Sequence, residues 1–458
     1  MAEYVNINTG TINKNVPTKE TFDAARPRLV RATLPANAWV NNTQTITVEG
    51  ILADGEQQLI IPVPKLDSAT AYMNTGVYCS GQANDSLTFI ASTTPSVDLN
   101  LDITIQALIV PPAPPAPPAP IYGVQWTNMA TNSTGVRTDD AVGLANPNPA
   151  VAGGTGSSPF DSIMPWVGMV RSTDPSVGEV VSIPKFYYKW ETDGTKMTGL
   201  KISMEKKEGF NTSPAHMDRG DGKGERDVIY VGRYHSCSTN KSTTGQMPKV
   251  SITRSDARTA VHSLGANVWQ FDFATRVTIW MLYLVEFADW NSQAKIGYGC
   301  GNNSSAENVG ASDNMQYHTG TMQADRATGG VGVQYRYIEG LWDNVYDWMD
   351  GCYYSADGMS VILNPNNFSD TENGTVIGTP SSGYSSTFAV SDWALYPNAT
   401  SSNSTTGSCD CWYYYSSYPC LCCGGYYYRY EYHGLFYVNC AGVSVAGSNV
   451  GFRALILP

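Results

Sequence analysis

The chain has 458 residues, a formal net charge of -12 and only 15% charged residues, while Gly (43) and Tyr (28) are abundant. That length is too great for one ordinary core, so two or three domains are expected, and the sparse charge favours strands and turns over long solvated helices. The negative balance excludes nucleic acid and anionic membrane surfaces as partners, since both require a cationic face.

Residues 1–6 carry no basic stretch followed by an apolar run, so no secretory signal is expected. Up to about residue 36 no clear period emerges, which reads as an arm that docks onto a partner. Segments 45–48, 87–90 and 97–105 then alternate apolar and polar residues, separated by turn pairs such as Asp54-Gly55 and Asn84-Asp85. This pattern predicts a small antiparallel β-sandwich with one wet face per sheet. Residues 111–120 are only proline and alanine, which predicts an extended polyproline strut of about 30 Å. The expected organisation is therefore an N-terminal sandwich over 1–110, a linker over 111–120, and a C-terminal domain over 121–458.

Past the linker, 183–190 and 228–234 read as strands. A helix is predicted over 255–264, with Ser255 as N-cap, Ala257, Val261 and Leu264 on one face, and Gly265 as the stop. A second is predicted over 272–290, with Ile279, Leu282, Tyr283, Phe287 and Trp290 at helical spacing. Its apolar stretch is short and interrupted by Glu286 and Asp289, so it is a core helix and not a membrane span. From residue 297 on, Gly, Asn, Ser and Tyr dominate, and long binding loops on a small scaffold are expected. The fold class is mainly β with an α+β C-terminal domain.

Chemistry is sparse. His216, His235, His262, His318 and His433 have no metalloprotease spacing and sit in no nucleophile motif. The segment 218–227 contains Arg219-Gly220-Asp221, an integrin-type tripeptide, but reads as a solvated turn-rich loop, and its carboxylate spacing does not fit an EF-hand. Cys409, Cys411, Cys420, Cys422, Cys423 and Cys440 fit zinc spacing badly and read as free small side chains on a surface. Neither a metal nor a cofactor is expected. Asp347 and Asp350 read as structural, so no catalytic residues are assigned. Trp342, Trp348, Phe436 and Phe452 read as core.

The most unusual tract begins at Cys409. Tyr offers a large, rigid contact area with a polar tip, while Ser and Gly let the backbone adapt. The expected recognition residues are Asp410, Trp412, Tyr413, Tyr414, Tyr415, Tyr418, Tyr426, Tyr428, Tyr430, Tyr432, Tyr437 and Asn439, within a region of about 409–449. Residues 425–437 are expected to form two strands of mixed facing, which would leave about half of their tyrosines available. The tract is also rich in Tyr, Cys, Ser, Gly, Leu, Asp and His. These are reachable from an Asn codon by substituting adenines, a pattern that adenine mutagenesis would produce.

The run Gly340-Leu341-Trp342-Asp343-Asn344-Val345-Tyr346-Asp347-Trp348 resembles the signature of the C-type lectin fold in its formylglycine-generating-enzyme variant, with Asp347 where that family usually has Glu. Gly434-Leu435-Phe436-Tyr437 and Gly451-Phe452-Arg453-Ala454-Leu455 resemble its closing strands, which bracket the variable region in phage tropism proteins and other targets of diversity-generating retroelements. Residues 183–190, 232–234 and 284–291 resemble tail-fibre proteins of phages and prophages of Gram-positive gut bacteria, and the N-terminal sandwich resembles modules on such fibres. The resemblance implies a phage tail adhesin, made in the host cytoplasm, located on the virion and not inserted in a membrane. Residues 1–110 would attach to phage tail or baseplate proteins, and the C-terminal region would contact a host cell-surface receptor, protein or glycan, as a homotrimer. A prophage-encoded bacterial surface adhesin is the alternative, and a polysaccharide depolymerase, which would need paired carboxylates in a groove, is the next. Trp342-Asp343-Asn344 departs in order from the lectin calcium motif, so the resemblance carries over no calcium site.

Overall fold

The computed structural model describes residues 4–8, 13–17, 26–55, 57–107, 118–300, 303–326, 332–371, 374–428 and 433–458. The chain divides into two compact units, Met1–Pro117 and Pro118–Pro458, and its described elements are mainly β. Of the proline-rich segment only 118–120 are described, so the expected strut lies outside the described residues.

In the first unit, two three-stranded antiparallel sheets share one core. One is ordered Arg28–Leu34, Leu99–Ala107, Gln58–Pro64; the other is ordered Thr43–Thr47, Ser86–Ile90, Tyr78–Ala83. The period of two does the sorting: Leu99, Leu101, Ile103 and Ile105 point inward against Leu87 and Phe89, while Asn100, Asp102 and Thr104 face out. The Asn84-Asp85 turn joins Tyr78–Ala83 to Ser86–Ile90, with Asp85 in the left-handed region that Asn and Asp tolerate. The expected N-terminal arm needs correcting. Arg28–Leu34 is a full strand, paired from Arg28↔Ile105 to Leu34↔Leu99. Leu29 on its wet face obscures the alternation in the sequence.

The second unit is built on a fourteen-stranded mixed sheet and a five-stranded sheet. The helix Phe273–Phe287 packs against strands Ile121–Gln125, Lys196–Ser203, Tyr346–Ser355 and Ala394–Thr400. It starts at Asp272, whose carboxylate accepts the Thr275 N–H at 2.8 Å, and ends at Ala288 with φ 50°. All 15 of its residues are buried, which explains a sequence apolar nearly all round. The expected helix overran this end, although Trp290 is still core, stacked on Phe388 at 4.9 Å. The shorter helix, Arg254–His262, is capped by Thr253 and not by Ser255, with Ala257 and Val261 turned inward as expected. No helix among the described residues is long and apolar enough to cross a membrane.

The strand expected over 183–190 is two strands in different sheets. Gly178–Pro184 lies in the five-stranded sheet and Tyr187–Asp193 in the larger one. Pro184 has no N–H to continue a ladder, and the chain changes sheet after it. The last strand, Ala454–Ile456, pairs with both Val228–Gly232 and Val268–Gln270, so the end of the unit is stitched to its middle.

Candidate functional site

The platform comes first. Arg453 is wholly buried; it pairs with Asp347 at 3.1 Å and donates to the carbonyls of Gly232, Arg233, Glu339 and Gly340. The 340–348 run and the 451–455 segment are therefore one structural unit, joined by a buried ion pair. His235 lies 3.5 Å from Asp347, and burial pushes its imidazole down to about 4, so it sits there uncharged at neutral pH. Trp342 and Trp348 donate to the carbonyls of Gly297 and Ile252, both at 2.9 Å. Asp343 accepts from the N–H groups of Cys300 and Val333, and Asn344 exchanges two hydrogen bonds with the Glu307 backbone. These polar residues hold loops in place, a role that sequence reasoning did not assign.

Strand Tyr346–Ser355 pairs with Cys420–Cys423, which pairs with Val438–Ala441. Among the described residues the chain leaves this ladder over 413–419, 424–428, 433–437 and 442–449, and the tyrosines lie on the first three of these. Tyr415, Tyr418 and Tyr428 are 50%, 47% and 67% exposed, while Tyr413, Tyr414, Tyr426, Tyr427 and Asn439 are half-buried. Tyr430 and Tyr432 lie outside the described residues.

The half-buried rings are tethered. Tyr414 donates to the Ser355 carbonyl at 2.7 Å and packs edge-on to Tyr354. Tyr413 meets Tyr437, which stacks on Tyr346, which in turn meets Tyr426 at 5.1 Å. Tyr427 is held through its backbone by Asn344 and Asn303. The result is a tethered aromatic base beside three exposed rings, of which Tyr415 and Tyr418 face each other edge-on at 5.8 Å. Tyrosine rings on such a base offer apolar faces together with hydroxyls that can donate and accept, which suits recognition of a polar surface.

Three expected recognition residues are corrected to structural ones. Trp412 is buried at 1% exposure, donates to the Tyr354 hydroxyl at 2.7 Å and packs on Trp280. Tyr437 is buried between Tyr413 and Tyr346. Asp410 is also buried, and each of its oxygens accepts a backbone N–H, from Gly434 and from Phe436. Burial lifts its carboxyl to about 7, against the pull of those two donors. Nor do residues 425–437 form two strands: their described part is turn and loop up to the strand Val438–Ala441. Tyr346 and Tyr427 were missed, the first because it lies inside the scaffold run.

The cysteines are also corrected. Cys409, Cys411, Cys420, Cys422, Cys423 and Cys440 are buried and joined in no disulfide among the described residues, so they are not surface residues. Cys420-Leu421-Cys422-Cys423 is a strand buried along its whole length, where small polarisable thiols fill tight interior space. Burial raises the Cys420 and Cys423 thiols to about 11 and holds them un-ionised. The Arg219-Gly220-Asp221 loop is less solvated than expected: the Arg219 head is buried and pairs with the helix cap Asp272, while Arg226 pairs with Asp221. Among the described residues no group of three or more His, Cys, Asp or Glu side chains is gathered to hold a metal ion.

No known family model matches the chain, and no curated protein matches it either.

Proposed function

We propose that this chain is a phage tail-fibre or tail-tip adhesin whose C-terminal unit has a C-type lectin-like fold and binds a receptor on the bacterial host surface. In this reading residues 1–110 attach to tail or baseplate proteins, and a homotrimer multiplies weak single-site contacts through avidity. The observation that carries the proposal is the aromatic surface. Three exposed tyrosines and four half-buried ones stand on loops whose roots are fixed in a buried ladder. Clustered exposed aromatic side chains mark interaction surfaces, and a base that is ordered before binding lowers the entropy lost on binding. The buried Asp347–Arg453 pair further supports the fold, because it joins the two segments that carry the resemblance.

The test is binding of the chain to intact cells of a panel of Gram-positive gut bacteria. A Tyr415→Ala, Tyr418→Ala, Tyr428→Ala variant should keep its melting temperature and lose binding by about tenfold or more, since buried aromatic anchors at interfaces are worth about 2 kcal/mol each. Undiminished binding by the variant, or no binding by the unaltered chain to any of the panel, overturns the proposal.

A further inference from the structure

A second candidate site lies outside the 409–449 region. The helix Arg254–His262, the strand Val268–Gln270 and residues 365–368 line an open groove of about 490 Å³. That volume lies within the ~300–1,000 Å³ typical of small-ligand sites. The strand turns Val268 and Gln270 inward and leaves Trp269 half-exposed, on the edge of the five-stranded sheet. The His262 ring stacks on the Trp269 indole with centroids 4.4 Å apart and planes 29° from parallel. His262 Nδ1 lies 2.8 Å from the Val268 carbonyl, which can only accept. In the uncharged ring Nδ1 therefore carries the hydrogen, and Nε2 is an acceptor.

Charge decides what class of ligand fits. Arg258 makes a two-point contact with Asp350, at 2.6 and 2.8 Å, and a third bond to Asp370 at 2.7 Å. Asp370 also takes Arg254, at 2.8 Å. Two guanidinium groups and two carboxylates thus cancel, and a chain of net charge -12 adds no attraction for an anion. Arg258 Nη1 has no hydrogen-bond partner among the described residues, so it remains a donor without a free charge to satisfy. Thr259 and Ser263 donate their hydroxyl hydrogens to the carbonyls of Ser255 and Ala260, which leaves their oxygens as acceptors. The groove combines an aromatic wall, a donor, several acceptors and no net charge.

That combination matches an uncharged molecule with one apolar face and a rim of hydroxyl groups. We infer that the groove binds a neutral saccharide, one pyranose ring lying along the His262–Trp269 wall with its hydroxyls on Arg258, Thr259, Ser263 and Asn366. The inference does not depend on the tyrosine surface and would stand if that surface bound nothing.

The experiment is calorimetric titration of the full chain with maltose, cellobiose and N,N′-diacetylchitobiose, with sialyllactose as the acidic comparison. At least one neutral disaccharide should bind saturably. Binding should weaken by about tenfold or more in Trp269→Ala, which removes the wall. It should also be lost in Ser263→Trp, an exposed position where a larger side chain fills the groove without opening the core. The variant with alanine at 415, 418 and 428 should bind as the unaltered chain does. No binding by any neutral disaccharide, binding of sialyllactose alone, full binding by Ser263→Trp, or loss in the tyrosine variant would each sink the inference.

Discussion

Asp410 shows how a residue chosen for its chemistry can turn out to serve the fold. An acidic residue beside a tyrosine cluster suggests a polar contact for a ligand, yet this one lies under the chain and caps the 434–436 turn. Its neighbour Gly434 leaves it room, since a Cβ there would come within 2.6 Å of both carboxylate oxygens. The pH consequence has a definite sign. The folded chain holds the Asp410 proton to about pH 7, whereas the unfolded chain releases it near its ordinary 3.8. The group therefore favours the folded state fully below the unfolded value, and this contribution is lost as pH rises through about 7. Chemical denaturation of the unaltered chain and of Asp410→Asn separates this site from all other titrations. The stability of the unaltered chain relative to the variant should fall by roughly 2–4 kcal/mol between about pH 5 and about pH 8. An unchanged difference across that range would show that Asp410 does not titrate there.

At the scale of elements, strands and helices with a clean period were legible. The alternation over 97–105 and the helical spacing of Ile279, Leu282 and Tyr283 each have one geometric solution. Cys420-Leu421-Cys422-Cys423 was not legible as a strand, because a segment buried on both faces has no period to read. The division of the tyrosines into base and rim was equally hidden. It depends on Tyr346, some seventy positions upstream of Tyr415, lying under Tyr426 and Tyr437. The turn that makes this possible is Gly424-Gly425, with φ near 89° and 88°. Its first residue accepts the Asp343 N–H and donates to the Tyr437 carbonyl. A Cβ on Gly424 would lie 2.4 Å from the Leu341 carbonyl oxygen, a backbone atom that cannot swing aside. Gly424→Ala should cost roughly 1–3 kcal/mol from the backbone conformation alone. Gly442→Ala, whose added Cβ would meet nothing closer than 3.9 Å, should be near neutral. Denaturant midpoints of the two variants measured side by side check this, and equal midpoints would contradict it.

For the whole molecule, the second unit separates what must stay constant from what can change. Buried ion pairs such as Asp347–Arg453 and Arg336–Glu286 tie segments far apart in sequence, and losing one partner of such a pair costs about 3–5 kcal/mol. The exposed positions are under no such constraint, since surface substitutions usually stay within about 0.5 kcal/mol. If the tract is diversified, substitutions should therefore fall at the exposed positions 415–418, 428 and 443–446. They should be absent from Asp410, Trp412, Leu435, Phe436 and Tyr437, where truncating a buried aromatic costs about 3–5 kcal/mol. Deep sequencing of the gene across the progeny of one lineage measures this directly. Changes confined to the exposed set would mark the contact residues. Changes spread evenly over 409–449 would mean that the tract varies without regard to the ladder beneath it, and the separation of base from rim would be wrong. A uniform sequence would remove diversification and leave a fixed tyrosine surface whose binding the triple alanine variant still tests.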